Sequence, residues 1–142
     1  MERILVIEDE IVIRRALSKL LQRKGYEVFE AGSVAEGEDN HSLDSFHLII
    51  ADLRLPGGLG TEVIGRCGET PVLIMTSYAS INSAVDSMKA GAADYIAKPF
   101  NHDEILIVAD RLIRQNVIFR QNLILKREIN QTYPVAGMVG DS

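Results

Sequence analysis

Four short apolar runs, "ILVI" (4–7), "LIIA" (48–51), "VLIM" (72–75) and "YIA" (95–97), constrain the fold of this 142-residue chain more than any other feature. Runs that are apolar at every position need cover on both faces, which is the condition of strands inside a parallel sheet. A fifth run, "YEVFEA" (26–31), alternates and suits an outer strand. Helical periodicity fills the gaps. Ile13, Ala16, Leu17, Leu20 and Leu21 form one stripe that stops at Gly25. Weaker helices are predicted from Val34 to about Asn40 and from Leu59 to Cys67, and Ile81, Ala84, Val85 and Met88 form a fourth stripe before Gly91. Asn101, with Glu104 three residues on, has the form of a capping box opening a fifth helix.

The element order βαβαβαβαβα, with right-handed crossovers, predicts a doubly wound α/β fold. A five-stranded parallel sheet in the flavodoxin-like order 2-1-3-4-5 has this number of strands. The fifth helix continues past the sheet: "HDEILIVADRLIRQNVIFRQNLILKREINQ" contains neither Pro nor Gly up to Gln131. A helix of about 28 residues would be about 42 Å long, more than a small sheet covers. Ile105, Ala109, Leu112, Asn116, Phe119 and Leu123 follow 4-3-4-3-4 spacing, the pattern of a short coiled-coil seam with one polar position. Two readings stand side by side: a linker helix lying on its own domain, or a dimer helix. Phe119, Leu123, Ile124 and Leu125 favour the dimer helix, because they otherwise lack a core. The tail after Pro134, "VAGMVGDS", is Gly-rich and too short to fold alone.

Composition excludes several classes. A net charge of −5 argues against a phosphate-backbone binder, so no direct nucleic-acid contact is expected. No apolar run approaches the roughly 18 residues of a membrane span, and no export signal precedes "RILVIEDE". Cys67, the single cysteine, allows no internal disulfide and fits a reducing cytoplasm. His41, His47 and His102 lie on separate segments without ligand spacing, so surface or packing roles are expected.

The chemistry lies at the strand ends. Glu8 and Asp9, Asp52, Thr76 and Lys98 each directly follow an apolar run, and open α/β sheets bind ligands outside the carboxyl ends of their strands. Three carboxylates brought together need a proton or a cation, and an all-oxygen set open to water suits Mg²⁺. A carboxylate nucleophile, a hydroxyl and an ammonium are the parts phosphoryl transfer requires. The loop "LPGGLG" (55–60) leaves Asp52 uncovered.

These residues resemble the receiver domains of bacterial two-component response regulators over about 2–122. "LVIEDE" resembles the family's acidic pair, with Glu8 where Asp often stands. "DLRLPGGLG" resembles its phosphorylation loop, "MTSYAS" its Thr/Ser strand end, and "DYIAKPF" its aromatic and Lys-Pro motif. The resemblance implies that Asp52 accepts a phosphoryl group from a histidine kinase. Asp9, Asp52 and the Arg54 backbone carbonyl would ligate Mg²⁺, with Glu8 acting through water. Lys98 would hold a phosphoryl oxygen, Thr76 would move to meet one, and Tyr95 would swing inward behind it. The Lys98–Pro99 bond would be cis, and Arg54 and Tyr78 would tune dephosphorylation. Gly58-Leu59 replaces the Met-Asp of many relatives, which implies a looser loop there.

The long helix and the tail are similar to the linker and first ATPase residues of NtrC/DctD-type sigma-54-dependent transcriptional activators. This implies a receiver domain at 1–120, a helical linker at 121–134 and the start of a truncated AAA+ ATPase at 135–142. The downstream ATPase and DNA-binding domains would be absent from this chain. Homodimerisation would use the fourth helix, fifth strand and fifth helix together with the linker seam of Ile105, Leu112, Asn116, Phe119 and Leu123. Whether phosphorylation makes or breaks that dimer stays open. The module would be a signalling switch with slow self-dephosphorylation and no metabolite turnover. The alternative is a stand-alone receiver acting in a phosphorelay or by protein binding. A haloacid-dehalogenase-type phosphatase would need an acid where Arg54 stands, and a flavodoxin would need a hydroxyl-rich loop in place of "EDEIVIR".

Overall fold

The computed structural model describes residues 1–77 and 81–132, with side chains for all of these except 81 and 126–132. Five strands, β1 (Arg3–Ile7), β2 (Glu27–Ala31), β3 (Leu48–Asp52), β4 (Val72–Thr76) and β5 (Asp94–Ala97), form one sheet in the order β2-β1-β3-β4-β5. Every pairing in it is parallel. The expected doubly wound α/β architecture and strand order are therefore present, with the alternating run as the outer strand β2.

Period-two alternation divides the apolar runs between two cores. Ile4, Val6, Ile50, Leu73 and Met75 face α1 (Ile11–Arg23) and α4 (His102–Thr132). Leu5, Ile7, Ile49, Ala51 and Ile74 face α2 (Val34–Asn40) and a 3-10 helix at Gly60–Arg66. Helix α3 (Ile81–Lys89) packs beside β5.

Three expectations are corrected. The segment Leu59–Cys67 is a tighter 3-10 helix over Gly60–Arg66, a stretch in which Gly60 and Gly65 weaken α-helix propensity. On α1 Leu17, Ser18 and Leu21 are buried and Ile13, Arg14 and Leu20 partly buried, whereas Ala16 is exposed. The expected stripe holds except at Ala16, and Ser18, one turn from Leu21, joins the buried face. The third concerns the seam. Ile105, Ala109 and Leu112 are buried against β1, β3 and β4 of their own sheet, and Asn116 is buried with its Nδ2 donating to the Glu69 carbonyl at 3.3 Å. These positions serve this chain's own core and are not available to a partner. Phe119 (44% exposed) and Leu123 (37% exposed) remain outside it.

The 31-residue α4 is about 46 Å long. Asn101 Oδ1 caps it, accepting from the amides of Asp103 at 2.7 Å and Glu104 at 3.3 Å. Near its far side Arg120 Nη2 donates to the Phe46 carbonyl at 2.9 Å and to the Asp44 carbonyl at 3.3 Å. The helix thus lies on its domain as far as Arg120. The expected boundaries at 121 and 134 fall beyond this anchor, and 135–142 lie outside the described residues. Among the described residues no helix is long and apolar enough to cross a membrane.

His41 and His47 pack and His102 is exposed, the packing and surface roles expected. His41 stands edge-on to Phe29 and Phe46, and His47 Nδ1 accepts the Arg3 amide hydrogen at 3.0 Å. That bond requires an unprotonated Nδ1. Burial pulls the His47 pKa below 6.5, and the Arg120 charge adds to the effect. A depressed folded value means that its stabilising contribution is complete above the unfolded value and is lost as pH falls through the folded one. An NMR titration of the ring is expected to place the His47 midpoint below 6.5, with the thermal midpoint declining over the same pH interval.

Candidate functional site

Parallel register brings the polar strand ends to one edge. Ile7 pairs with Ala51 and Asp52 with Met75, while Thr76 pairs with Ala97. The next residues along, Glu8 and Lys98, therefore arrive beside Asp52 and Thr76. Glu8 and Asp52 are buried, Thr76 is buried, and Asp9 is exposed at the rim. Ligand oxygens of Glu8, Asp9 and Asp52 lie within 4.8 Å of one another.

Lys98 organises this cluster. Its Nζ donates to Glu8 Oε1 at 2.7 Å and to Asp52 Oδ2 at 3.1 Å. Burial alone would pull the ammonium pKa down, but hydrogen bonds to the two carboxylates outweigh it and the net direction is upward. Burial pushes Glu8 up against the opposing bond from Lys98, with the nearby Asp52 charge adding to the rise. The peptide bond between Lys98 and Pro99 is cis, as the resemblance implied.

Both oxygens of Glu8 already accept a hydrogen bond. Oε1 is held by Lys98, and Oε2 accepts the Glu10 amide at 3.2 Å. Three carboxylates against one ammonium leave a formal charge of −2, a hard-oxygen set that fits a divalent cation such as Mg²⁺. The exposed Asp9, and Asp52 engaged at Oδ2, have the most acceptor capacity left to contact it.

The loop below Asp52 is built by glycines with specific tasks. Arg54–Leu55 and Gly58–Leu59 pair as a two-stranded antiparallel hairpin around Pro56-Gly57, where Gly57 takes φ +85°. A Cβ on Gly60 would lie 2.1 Å from the Asp52 carbonyl oxygen, so only glycine permits this approach. The expected looseness at Gly58-Leu59 is offset by Glu62, whose Oε2 accepts the Leu59 amide at 3.2 Å. Tyr78 lies outside the described residues. Tyr95 is 38% exposed and borders a hollow of about 470 Å³ with Ala84, Val85, Met88 and Lys89.

Reading by motif missed Arg14. Its Nη1 donates to the Glu8 carbonyl at 2.9 Å and its Nε to Glu30 Oε1 at 3.0 Å. The available signal was a charged residue sharing a helical face with Leu17 and Leu21.

The chain belongs to the response regulator receiver domain family, whose model matches residues 4–110. It is 34% identical over 113 residues to the response regulator protein FleR of Pseudomonas aeruginosa, covering 77% of this chain. Among solved structures, the non-phosphorylated HemR receiver domain of Leptospira biflexa superposes with a TM-score of 0.72 at 33% identity, covering 80% of this chain and 94% of that one. The beryllofluoride-activated NtrC4 receiver domain dimer gives 0.75 at 28% identity, covering 82% and 99%. The chain spans 24% of FleR, and 51% and 55% of two other curated relatives. Receiver domains are signalling switches that bind Mg²⁺ at an acidic pocket, and the cluster of Glu8, Asp9 and Asp52 is that pocket here.

Removing the Lys98 ammonium would leave Glu8 buried beside Asp52 without its counterion. Lys98→Met is expected to lower stability by about 3 kcal/mol near neutral pH. Acidification should recover part of the loss, because an acid whose folded pKa is raised gains stability as it protonates. Denaturant titrations at two pH values check both the size and the sign.

Proposed function

We propose that this chain is the phosphoacceptor module of a two-component response regulator, charged at Asp52 by a cytoplasmic histidine kinase. The observation that carries the reading is the Lys98 ammonium held between Glu8 and Asp52 at the sheet edge, with Thr76 beside it. An Asp52 carboxylate oxygen forms a bond to phosphorus as the phosphorus–nitrogen bond of the donor phosphohistidine breaks. The imidazole leaves with the electron pair and takes up a proton, and Asp52 becomes an acyl phosphate. Mg²⁺ held by Asp9, Asp52 and the Arg54 carbonyl, with Glu8 acting through water, would neutralise charge on the phosphoryl oxygens. The engagement of both Glu8 oxygens supports its indirect role.

Lys98 is already charged and within reach, so it transfers from the carboxylates to a phosphoryl oxygen. Thr76 donates to another. Withdrawal of Thr76 toward the phosphoryl group vacates room behind it, which Tyr95 fills from its outward position. Val85, Met88 and Tyr95 form the exposed apolar face that would change with it, and this face would pair two protomers. The dimeric, beryllofluoride-activated NtrC4 receiver domain supports that choice. A second contact would come from Phe119, beside the Arg120 anchor, and from Leu123 and Ile124 past it. Through it the pairing would reach a sigma-54-dependent activator's ATPase.

Intact mass after incubation with Mg²⁺ and acetyl phosphate tests the chemistry. Wild type is expected to gain one phosphoryl group and Asp52→Asn none; a folded wild type that gains nothing would refute the reading. For the helix, light scattering of phosphorylated wild type against Phe119→Lys/Leu123→Lys is expected to show at least a tenfold weaker dimer, the equivalent of about 1.4 kcal/mol. Unchanged association would remove the linker helix from the interface.

A further inference from the structure

Asp9 is the exposed carboxylate of the cluster, and among the described residues no group donates a hydrogen bond to it. Its placement therefore depends on the backbone between Glu8 and Glu10. That backbone is bracketed from both sides. The Glu8 amide donates to the Ala31 carbonyl at 3.0 Å, carrying the β1–β2 register one residue past the strand. The Arg14 amide donates to the Glu10 carbonyl at 2.9 Å, the first bond of α1. The Arg14 side chain then turns back, giving Nη1 to the Glu8 carbonyl at 2.9 Å and Nε to Glu30 Oε1 at 3.0 Å.

A guanidinium can hold two acceptors at once because its donors are fixed in a plane; an ammonium of the same charge cannot fix both directions. The Arg14 side chain is only 15% exposed, and its charge is paired within the domain by Glu30. The sequence leaves space for it. Gly32 has no left-handed backbone to explain it, but a Cβ there would lie 3.3 Å from Arg14 Nη1 and 3.3 Å from Glu36 Oε1.

We propose that Arg14 is a positioning residue of the phosphoacceptor site: by tying the Glu8 carbonyl to the Glu30 carboxylate, it sets where Asp9 stands and so how tightly the site holds Mg²⁺. This rests on the cation-dependent reading given above. Arg14 touches neither the phosphoryl group nor the ion. Groups that orient ligands in this way typically govern metal affinity by ten- to a hundredfold.

The test is Mg²⁺ titration by calorimetry on wild type, Arg14→Ala, Arg14→Lys and Glu30→Gln, with thermal midpoints and phosphorylation rates at limiting and saturating Mg²⁺. Arg14→Ala is expected to weaken Mg²⁺ about tenfold and Glu30→Gln several-fold, with Arg14→Lys recovering only part of the loss. The rate at saturating Mg²⁺ should stay within about twofold of wild type, since Asp52, Thr76 and Lys98 are untouched. A lowered thermal midpoint with unchanged Mg²⁺ affinity in Arg14→Ala and Glu30→Gln would overturn the proposal and leave Arg14 a structural tie. Should Arg14→Ala fail to fold, Glu30→Gln decides alone. Wild type that takes up no Mg²⁺ would instead overturn the reading of the site itself.

Discussion

The Lys98 ammonium between Glu8 and Asp52 is the interaction on which the rest of the site depends. Two buried carboxylates at 2.7 and 3.1 Å from one cation form a closed electrostatic unit in a region from which water is largely excluded. Without the cation, Glu8 would protonate or the sheet edge would open to water. The same ammonium ties the end of β5 to the ends of β1 and β3 across the sheet.

A second tier holds that unit in place. The Glu8 backbone is pinned by Ala31 and Arg14, and the Asp52 backbone lies under a loop that Gly60 alone can bring so near. Both devices act on main chain and not on the reacting carboxylates. Strand ends are well suited to this, because ladder hydrogen bonds leave the backbone little freedom while the side chains project into the crevice.

Helix α4 has two roles along its length. Its first half completes the core through Ile105, Ala109 and Leu112, and Asn116 and Arg120 fasten it to loop carbonyls at the far end of the sheet. Beyond Arg120, apolar side chains such as Ile124 and Leu125 stand in water.

Fold class, strand order and the five site residues were legible in the sequence because they depend on local signals: apolar runs of strand length, and a polar residue directly after each. Four strands in register necessarily gather their ends. The apolar stripe of α1 left out the buried Ser18 and the partly buried Arg14, which is held by the Glu8 carbonyl, because hydropathy encodes neither. The seam was misread for a related reason. A 4-3-4 spacing marks one face of a helix but not what covers it, and here the sheet covers 105–116 before any second chain could. The third crossover tightened to a 3-10 helix where glycine, required by the approach to Asp52, weakens the α form. The sequence by itself determined which elements form and which chemistry stands at their ends, because propensity and periodicity act within a few residues. Only the tertiary structure decided which helix faces are covered, that both Glu8 oxygens are occupied, and that Arg14 braces the acidic turn. Those depend on residues as far apart as Glu8 and Lys98, whose meeting no local pattern records.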